Sequence, residues 1–371
     1  MAQNRIALFL PSLGSGGAER VMLNLARGFA ERDWLVDIVL VKAEGPLQDQ
    51  IPSKVRVVDL AQHRTLSSIP HLVHYLRQER PKVLISALYH ANIVALLAKR
   101  VSGIDVHTIV SEHNTMSLLR QGLGLPKSLL MMQLIRSCYR WADSIVAVSH
   151  GVAQDLSVHT GIPLSAIDVV YNPVITPQLR ELASEVPEHP WFRDGDTRPI
   201  VLGAGRLAKE KDFPTLIKAF GLVLRALPAR LIIIGEGPMR IELETLIRNL
   251  GLEEHVSLPG FVSNPYAYYA RSAVFVLSSV SEGFSNVLVE AQACGTPVVS
   301  TDCPYGPSEI LNGGEYGRLV PVGDCEELAR AILQELTSPT PSAENPLLSK
   351  FAVHSVISQY EAIIAEIMSR S

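Results

Sequence analysis

Cysteine is scarce in this chain, four in 371 residues (Cys138, Cys294, Cys303 and Cys325). None of them forms a C-x-x-C pair or any other metal-ligand spacing, so they read as buried or incidental thiols in a reducing compartment. No uninterrupted apolar run reaches the ~18 residues that a membrane-spanning helix needs. The short apolar run in MAQNRIALFLPSLGSGG leads directly into glycines without a cleavage site, and reads as a first strand rather than a signal peptide. Lysine and arginine are not clustered with aromatics as single-strand binders require, which argues against nucleic acid as a partner. No acidic cluster has metal-ligand spacing. One D-x-D, Asp194-Gly195-Asp196, lies in the proline-flanked run WFRDGDTRP rather than at the end of a buried strand, so a metal–nucleotide role does not fit its context.

What the chain does have is enough apolar sequence for a large core: 47% hydrophobic against 19% charged residues. Its length favours two domains. Charge is unevenly divided. Residues 1–178 carry 17 Lys+Arg against 13 Asp+Glu, a net +4, and residues 179–371 carry 16 against 24, a net −8. In both halves Val- and Ile-rich runs alternate with helical periods, which argues for two parallel sheets with helices on both faces. We read an α/β fold of two Rossmann-like, doubly wound domains: 1–175 and 200–345, a proline-bearing linker at 176–199, and a terminal helix in 346–371.

The stretch SVSEGFSNVLVEAQACGTPVVSTDCPYGPSEIL, 279–311, carries the densest chemistry. A strand (VFVLSS) leads into Glu282, then Gly283, Phe284, Ser285, Asn286 and Val287 open a helix that Ser285 or Asn286 can cap. Free N–H groups and the positive dipole end at such a terminus attract anions. Glu290, one turn inside, can accept from a diol, so a phosphate site flanked by two carboxylates points to a sugar nucleotide. Glutamates facing solvent on a capped helix would show the same spacing. In GAGRLAKEKDF, 203–213, Arg206 and Lys211 follow a strand and suit a diphosphate, the first as a fork and the second as a point charge. In IVSEHNT, 109–115, His113 follows Glu112 at a strand end, where ligands of open α/β sheets collect; a histidine bonded to a neighbouring backbone group is the alternative. Gly16 and Gly17 follow the first strand and permit close backbone approach.

These runs, in this order, resemble the family-4 retaining glycosyltransferases of GT-B fold: GGAER, SEHNT, GRL-x-x-x-K, and the E-x7-E pair Glu282 and Glu290 followed by CGTPVVST and PSEIL. The whole chain looks closest to bacterial enzymes of surface-polysaccharide or lipid-linked-oligosaccharide synthesis. The resemblance implies two domains facing a cleft, with the terminal helix crossing back to pack on the first domain. It implies that a hexose or N-acetylhexosamine moves from a nucleotide-diphosphate sugar, a UDP-sugar, to a glycan or polyprenyl-diphosphate-linked acceptor. No cofactor or metal is implied beyond the nucleotide sugar as co-substrate. His113 and Glu282 would orient the donor sugar; Arg206, Lys211 and the helix N-terminus at 283–287 would neutralise the diphosphate; Glu290 would hold the ribose. The loop at Gly16 and Gly17 would face the donor phosphate, while Glu236 in GEGP and Val262 in FVSN would line the nucleotide and base.

A further stretch, PKSLLMMQLIRSCYRWAD at 126–143, places Gln133, Arg136, Ser137 and Arg140 on one helical face. Leu130, Met131, Leu134, Ile135, Cys138 and Trp141 fill another. A basic amphipathic helix of this kind can lie in a membrane interface at the cytoplasmic face, or simply pack its apolar side on the sheet. Two other activities fit the scaffold: a UDP-N-acetylglucosamine 2-epimerase, which needs further acids and bases at the sugar, and a non-catalytic subunit. The second would be expected to lack one of Arg206, Lys211, Glu282 or Glu290, and all four are present.

Overall fold

Strands covered on both faces carry near-continuous Val, Ile and Leu rather than alternation, and VLISA at 83–87 and RLIII at 230–234 have that composition. The computed structural model describes residues 4–14, 16–192, 197–340 and 345–370. The Asp194-Gly195-Asp196 run lies outside the described residues. The chain divides into two units, Met1–Val174 with Lys350–Ser371, and Ile175–Ser349.

The first unit runs β1 (Arg5–Leu10), α1 (Gly17–Glu31), β2 (Leu35–Leu40), β3 (Arg56–Asp59), α2 (Ile69–Glu79), β4 (Val83–Ala87), α3 (Tyr89–Ser102), β5 (His107–Glu112), α4 (Met116–Leu123), α5 (Leu125–Tyr139), β6 (Ser144–Ala147), α6 (His150–Thr160) and β7 (Asp168–Val169). Its seven strands are all parallel in the order β3-β2-β1-β4-β5-β6-β7. Strand order reverses between β1 and β4, so the loops after these strands flank the crevice where ligands of such sheets bind.

The second unit runs α7 (Leu179–Ser184), β8 (Ile200–Ala204), α8 (Phe213–Ala226), β9 (Arg230–Ile234), α9 (Arg240–Asn249), β10 (Val256–Gly260), α10 (Pro265–Arg271), β11 (Val274–Leu277), α11 (Asn286–Ala293), β12 (Val298–Thr301), α12 (Pro307–Ile310), β13 (Arg318–Val320) and α13 (Cys325–Thr337). Its six parallel strands follow the same plan, β10-β9-β8-β11-β12-β13, with the reversal between β8 and β11. The segment read as a linker holds α7, which packs on α10 and belongs to this unit. Side chains from α10 and its N-cap hold it: Asn264 donates to the Leu182 carbonyl at 2.8 Å, and Arg271 donates to the Ala183 and Ser184 carbonyls at 3.0 and 2.7 Å.

The last helix, α14 (Val353–Ser369), returns to the first unit. It buries Val356, Ile357, Tyr360 and Ile364 in one core with Leu25, Phe29 and the strands beneath them. Contact with α1 is close because residue 28 has no side chain: a Cβ on Gly28 would stand 2.4 Å from Ile357 Cγ1. The Tyr360 ring meets Phe29 edge-on at 6.2 Å, a favoured aromatic geometry.

Candidate functional site

In the second unit the loops after five strands are laced side by side along the carboxyl edge of the sheet. Gly205 N–H donates to the Ile234 carbonyl at 3.0 Å, Leu207 N–H to the Glu236 carbonyl at 2.9 Å, and Gly235 N–H to the Gly260 carbonyl at 2.8 Å. Such proximity needs a missing side chain at Gly235, whose φ is +129° and whose Cβ would lie 2.0 Å from the Gly205 carbonyl oxygen. Only glycine tolerates both the conformation and the contact. Across the strand-order reversal, Val280 N–H donates to the Glu210 carbonyl at 2.9 Å, and Ser278 Oγ to the Lys211 carbonyl at 2.7 Å. These bonds bring the two motif loops together.

Their side chains then meet directly. Lys211 Nζ lies 2.6 Å from Glu282 Oε1, which also accepts from Ser279 Oγ at 2.6 Å. The Glu282 side chain is 9% exposed and that of Lys211 20%. A carboxylate so far removed from water requires such partners. Beside it, Cys303 is buried, and burial, reinforced by the Glu282 charge, pushes its thiol up to about 12, leaving it neutral. The β12 loop backs the same residues: Glu282 N–H points to the Pro304 carbonyl at 3.4 Å.

Gly283 and Phe284 lead to the N-terminus of α11, with Phe284 buried and Asn286 and Val287 partly exposed in its first turn. Ser285 holds the N-cap position, but it does not cap as its type predicts. The Ser285 side chain makes no cap hydrogen bond, and Oγ is buried without a partner among the described residues. A buried hydroxyl left unpaired costs free energy and marks a donor available to a ligand oxygen. Glu290 is buried, its Oε2 accepting from Tyr269 at 3.2 Å.

The remaining residues of this unit are placed less tightly. Arg206 is exposed directly after Gly205. Glu236 is exposed too, and Arg240 pairs with its carboxylate at 2.5 Å, which holds it below the usual carboxylate range. Val262 is half-buried beyond β10.

In the first unit Gly16 and Gly17 are exposed at the start of α1, with Gly16 at φ −77°. The Glu19 carboxyl folds over this turn: a Cβ on Gly16 would lie 2.3 Å from its Oε2. The Gly16 backbone is not left-handed, and the atom nearest its missing Cβ is the end of a flexible side chain that can move aside.

His113 follows β5 and is 8% exposed. Burial depresses its pKa to about 4, which favours the neutral ring at neutral pH. Its Nε2 lies 3.1 Å from Ser111 Oγ. Glu112 is not beside it in role. Its carboxyl is fully buried in a network where Asn92 Nδ2 donates to Oε1 at 3.0 Å, Tyr139 OH donates to the same oxygen, and Ser86 Oγ donates to Asn92 Oδ1 at 2.7 Å. Burial pushes Glu112 up to about 7. The network ties β4, α3, β5 and α5 into one piece under the His113 loop.

The helix read at 127–142 is observed as α5, but its apolar residues divide differently. Met132, Ile135, Cys138 and Tyr139 are buried, whereas Leu129, Leu130 and Leu134 are 57%, 73% and 41% exposed. Leu130 and Leu134 therefore belong to the open side with Gln133, Arg136, Ser137 and Arg140. No helix is long and apolar enough to cross a membrane, and no group of three His, Cys, Asp or Glu side chains could hold a metal among the described residues.

Sequence reasoning missed Ser279 and Tyr269, the hydroxyls on the two glutamates. Ser279 stands three residues before Glu282 and was readable as a neighbour; nothing local points from Tyr269 to Glu290.

Comparison with known proteins agrees with this geometry. The family model described as Glycosyltransferase Family 4 matches residues 15–177, and that described as Glycosyl transferases group 1 matches 189–346. The chain is 31% identical over 328 residues, 86% of each protein, to the N-acetylgalactosamine-N,N'-diacetylbacillosaminyl-diphospho-undecaprenol 4-alpha-N-acetylgalactosaminyltransferase of Campylobacter jejuni. The lipopolysaccharide 1,6-galactosyltransferase of Salmonella typhimurium is 29% identical over 194 residues, 51% of each chain. Among solved structures, Alr3699/HepE of Anabaena in complex with UDP and glucose has a TM-score of 0.80 at 21% identity, covering 98% of this chain and 100% of that one. With both family domains in order and a relative this similar over most of its length, the chain belongs to the family-4 glycosyltransferases of GT-B fold.

Proposed function

We propose that this glycosyltransferase is a retaining, metal-independent enzyme of bacterial surface-glycan synthesis. It moves a hexose or N-acetylhexosamine from a UDP-sugar to a saccharide or polyprenyl-diphosphate-linked acceptor. The observation that carries the reading is the cluster at the β8–β11 reversal, where Lys211, Glu282 and the unpartnered Ser285 hydroxyl stand together on laced loops. A cation, a carboxylate and a helix N-terminus in that crevice suit a sugar diphosphate.

In this reading Arg206, Lys211, Ser285 and the first turn of α11 take the diphosphate and stabilise the charge that develops as it leaves. Glu290 takes the ribose, Glu236 and Val262 border the nucleoside, and Glu282 and His113 hold the donor sugar. The acceptor hydroxyl attacks the face from which the diphosphate departs, and a donor phosphate oxygen receives its proton. Support for the donor and acceptor classes comes from the relatives: the Anabaena structure holds UDP and glucose, and the Campylobacter enzyme's name gives a diphospho-undecaprenol acceptor.

Incubation with UDP-sugars and a short polyprenyl-diphosphate glycan, followed by mass spectrometry, tests the reading. A product heavier by one hexose or N-acetylhexosamine is expected, with the anomeric configuration of the donor by NMR. An inverted product would remove the retaining assignment, and a new UDP-sugar isomer without transfer would indicate epimerisation instead. EDTA should leave the rate unchanged, because cationic side chains replace a metal at the leaving group. Inhibition reversed by magnesium or manganese would overturn that part.

The same reading gives α5 a place at the membrane. Exposed Leu130 and Leu134 beside Lys127, Arg136 and Arg140 form an apolar strip with a basic border, the pattern of an interfacial helix. Each basic side chain near an anionic surface contributes about 1 kcal/mol. Replacing Lys127, Arg136 and Arg140 together by Ser should weaken co-sedimentation with phosphatidylglycerol vesicles at moderate salt and spare turnover of a soluble acceptor. Equal vesicle binding by the two proteins would leave α5 as a core helix only.

A further inference from the structure

A second feature of the first unit lies at the carboxyl edge of its sheet, on the side of β1 away from His113. The loops after β1, β2 and β3 are laced there as those of the second unit are. Lys42 N–H donates to the Pro11 carbonyl at 3.1 Å, Leu13 N–H to the Glu44 carbonyl at 2.9 Å, and Gln62 N–H to the Val41 carbonyl at 2.8 Å. Asp59 Oδ1 accepts from Ala43 N–H at 3.1 Å and from Ala61 N–H at 2.8 Å, which ties the second loop to the third. Gly45 stands after β2 as Gly235 stands after β9: its φ is +123°, and a Cβ on it would lie 2.0 Å from the Leu13 carbonyl oxygen. The laced loops frame an open cavity of about 240 Å³ lined by Ser12, Lys42, Glu44, Gln62, His63 and Thr65.

The lining selects the ligand. Lys42 and Glu44 form an ion pair, so their charges cancel and leave the cavity suited to a neutral ligand. The other polar groups are two hydroxyls, an amide and an imidazole, each able to donate and to accept. Sugar hydroxyls need that combination, and two adjacent ones match the paired atoms of a carboxylate or an amide. Gln62 Nε2 donates to the Ala61 carbonyl at 3.1 Å, which fixes the plane of its amide. Pro11 and Val41 line the same cavity and offer apolar surface to the C–H groups of a ring. The volume is below the roughly 300–1,000 Å³ of a drug-sized pocket, and suits one monosaccharide residue.

We propose that this cavity is a saccharide subsite for an inner residue of the acceptor glycan, remote from the sugar that reacts. The proposal rests on the reading of the enzyme as a transferase to a glycan acceptor, with the donor sugar at His113. In the sheet order β3-β2-β1-β4-β5 the cavity lies beyond β1, β2 and β3, centred on β2, and His113 follows β5. Three interstrand steps of about 4.8 Å put roughly 14 Å between them, farther than one sugar ring reaches. The connection that lines the cavity with Pro11 and Ser12 continues to Gly16 and Gly17, so it borders both places. An acceptor of several residues spans from the reacting sugar to the cavity and a single residue does not, so the enzyme reads the length of the glycan it extends.

Short polyprenyl diphosphates bearing one, two or three hexose or N-acetylhexosamine residues test it. The unmodified enzyme should show an acceptor KM about tenfold lower for three residues than for one, the scale of one or two added hydrogen bonds. Glu44 and His63 are exposed, so the double variant Glu44→Ala with His63→Ala should melt at the same temperature as the unmodified protein. It should lose the length preference: KM for the three-residue acceptor rises about tenfold, while kcat, the donor KM and the one-residue acceptor are unchanged. Ring resonances of His63, assigned by their loss in His63→Ala, should shift on titration with the three-residue acceptor and not with the one-residue acceptor. A KM independent of length, or a rise shared by all three acceptors, would overturn the subsite and leave the transferase reading intact. No turnover of any acceptor would instead remove the acceptor reading, and the proposal with it.

Discussion

Lys211→Ala should lower kcat by about 10²–10³-fold, the cost of removing one donor from charge that develops in a transition state. The ion pair adds a second effect that a loop lysine would not show. Lys211 is the cation facing Glu282, and without it that carboxylate keeps, among the described residues, the Ser279 hydroxyl on Oε1. Leaving a buried charge short of a partner costs about 1–3 kcal/mol, so the variant should also melt earlier. The two effects separate in a double variant. Lys211→Ala with Glu282→Gln has no orphaned charge and should regain thermal stability, yet turnover should remain as low as in the worse single variant. Lys211→Arg keeps the pair and should keep stability, with part of the rate, because its charge is spread over a fork instead of a point. Near-normal turnover by Lys211→Ala would end the assignment of this cation to the diphosphate. Loss of rate that the double variant restores together with stability would mean that Lys211 only neutralises Glu282.

That pairing shows where sequence reading stops. Both sheets were legible, because buried parallel strands such as VLISA and RLIII advertise themselves by composition, and the helices between them by period. Positions along the carboxyl edge were legible too, since each motif follows a strand. Contact between Lys211 and Glu282, 71 residues apart, depends on β8 and β11 being neighbours across the strand-order reversal, which no local pattern states. For the same reason α4 went unread. Its N-terminus is held by Asp155 of α6, which accepts from Ser117 N–H at 3.2 Å and from Met116 N–H. Thr115 stands at the N-cap position but its side chain makes no cap hydrogen bond, and the capping carboxylate comes from 38 residues away. Ser285 failed in the opposite direction. Its type and position predicted a cap, yet its hydroxyl is unpaired, a local rule broken where a ligand site is proposed.

Glu282→Gln and Glu290→Gln should fail in different ways, the second through binding and the first through chemistry. Glu290 lies in the first turns of α11, buried and paired to Tyr269. Its proposed partner, the ribose, changes little as the glycosidic bond breaks, so Glu290→Gln removes an interaction common to ground and transition states. The donor KM should rise by about tenfold, for a charge-assisted hydrogen bond exchanged for a neutral one, with kcat nearly preserved. Glu282 is assigned to the sugar, where positive charge grows at the reacting carbon. A carboxylate there gains strength as the reaction proceeds, and its neutral amide does not, so kcat should fall by about 10²-fold. The lysine pair sharpens the test. In the free enzyme Glu282 is held by Lys211, whereas Glu282→Gln releases that cation toward the diphosphate and should, if anything, tighten donor binding. A lower KM together with a lower kcat is therefore the expected signature, one that misfolding cannot produce. Both substitutions keep side-chain size, and Gln at 282 can still accept from Ser279. If Glu282→Gln raised KM alone, the residue would be a binding group remote from the reacting carbon. If neither change altered transfer, the pair of glutamates would be structural, and the donor would have to be sought elsewhere on the two units.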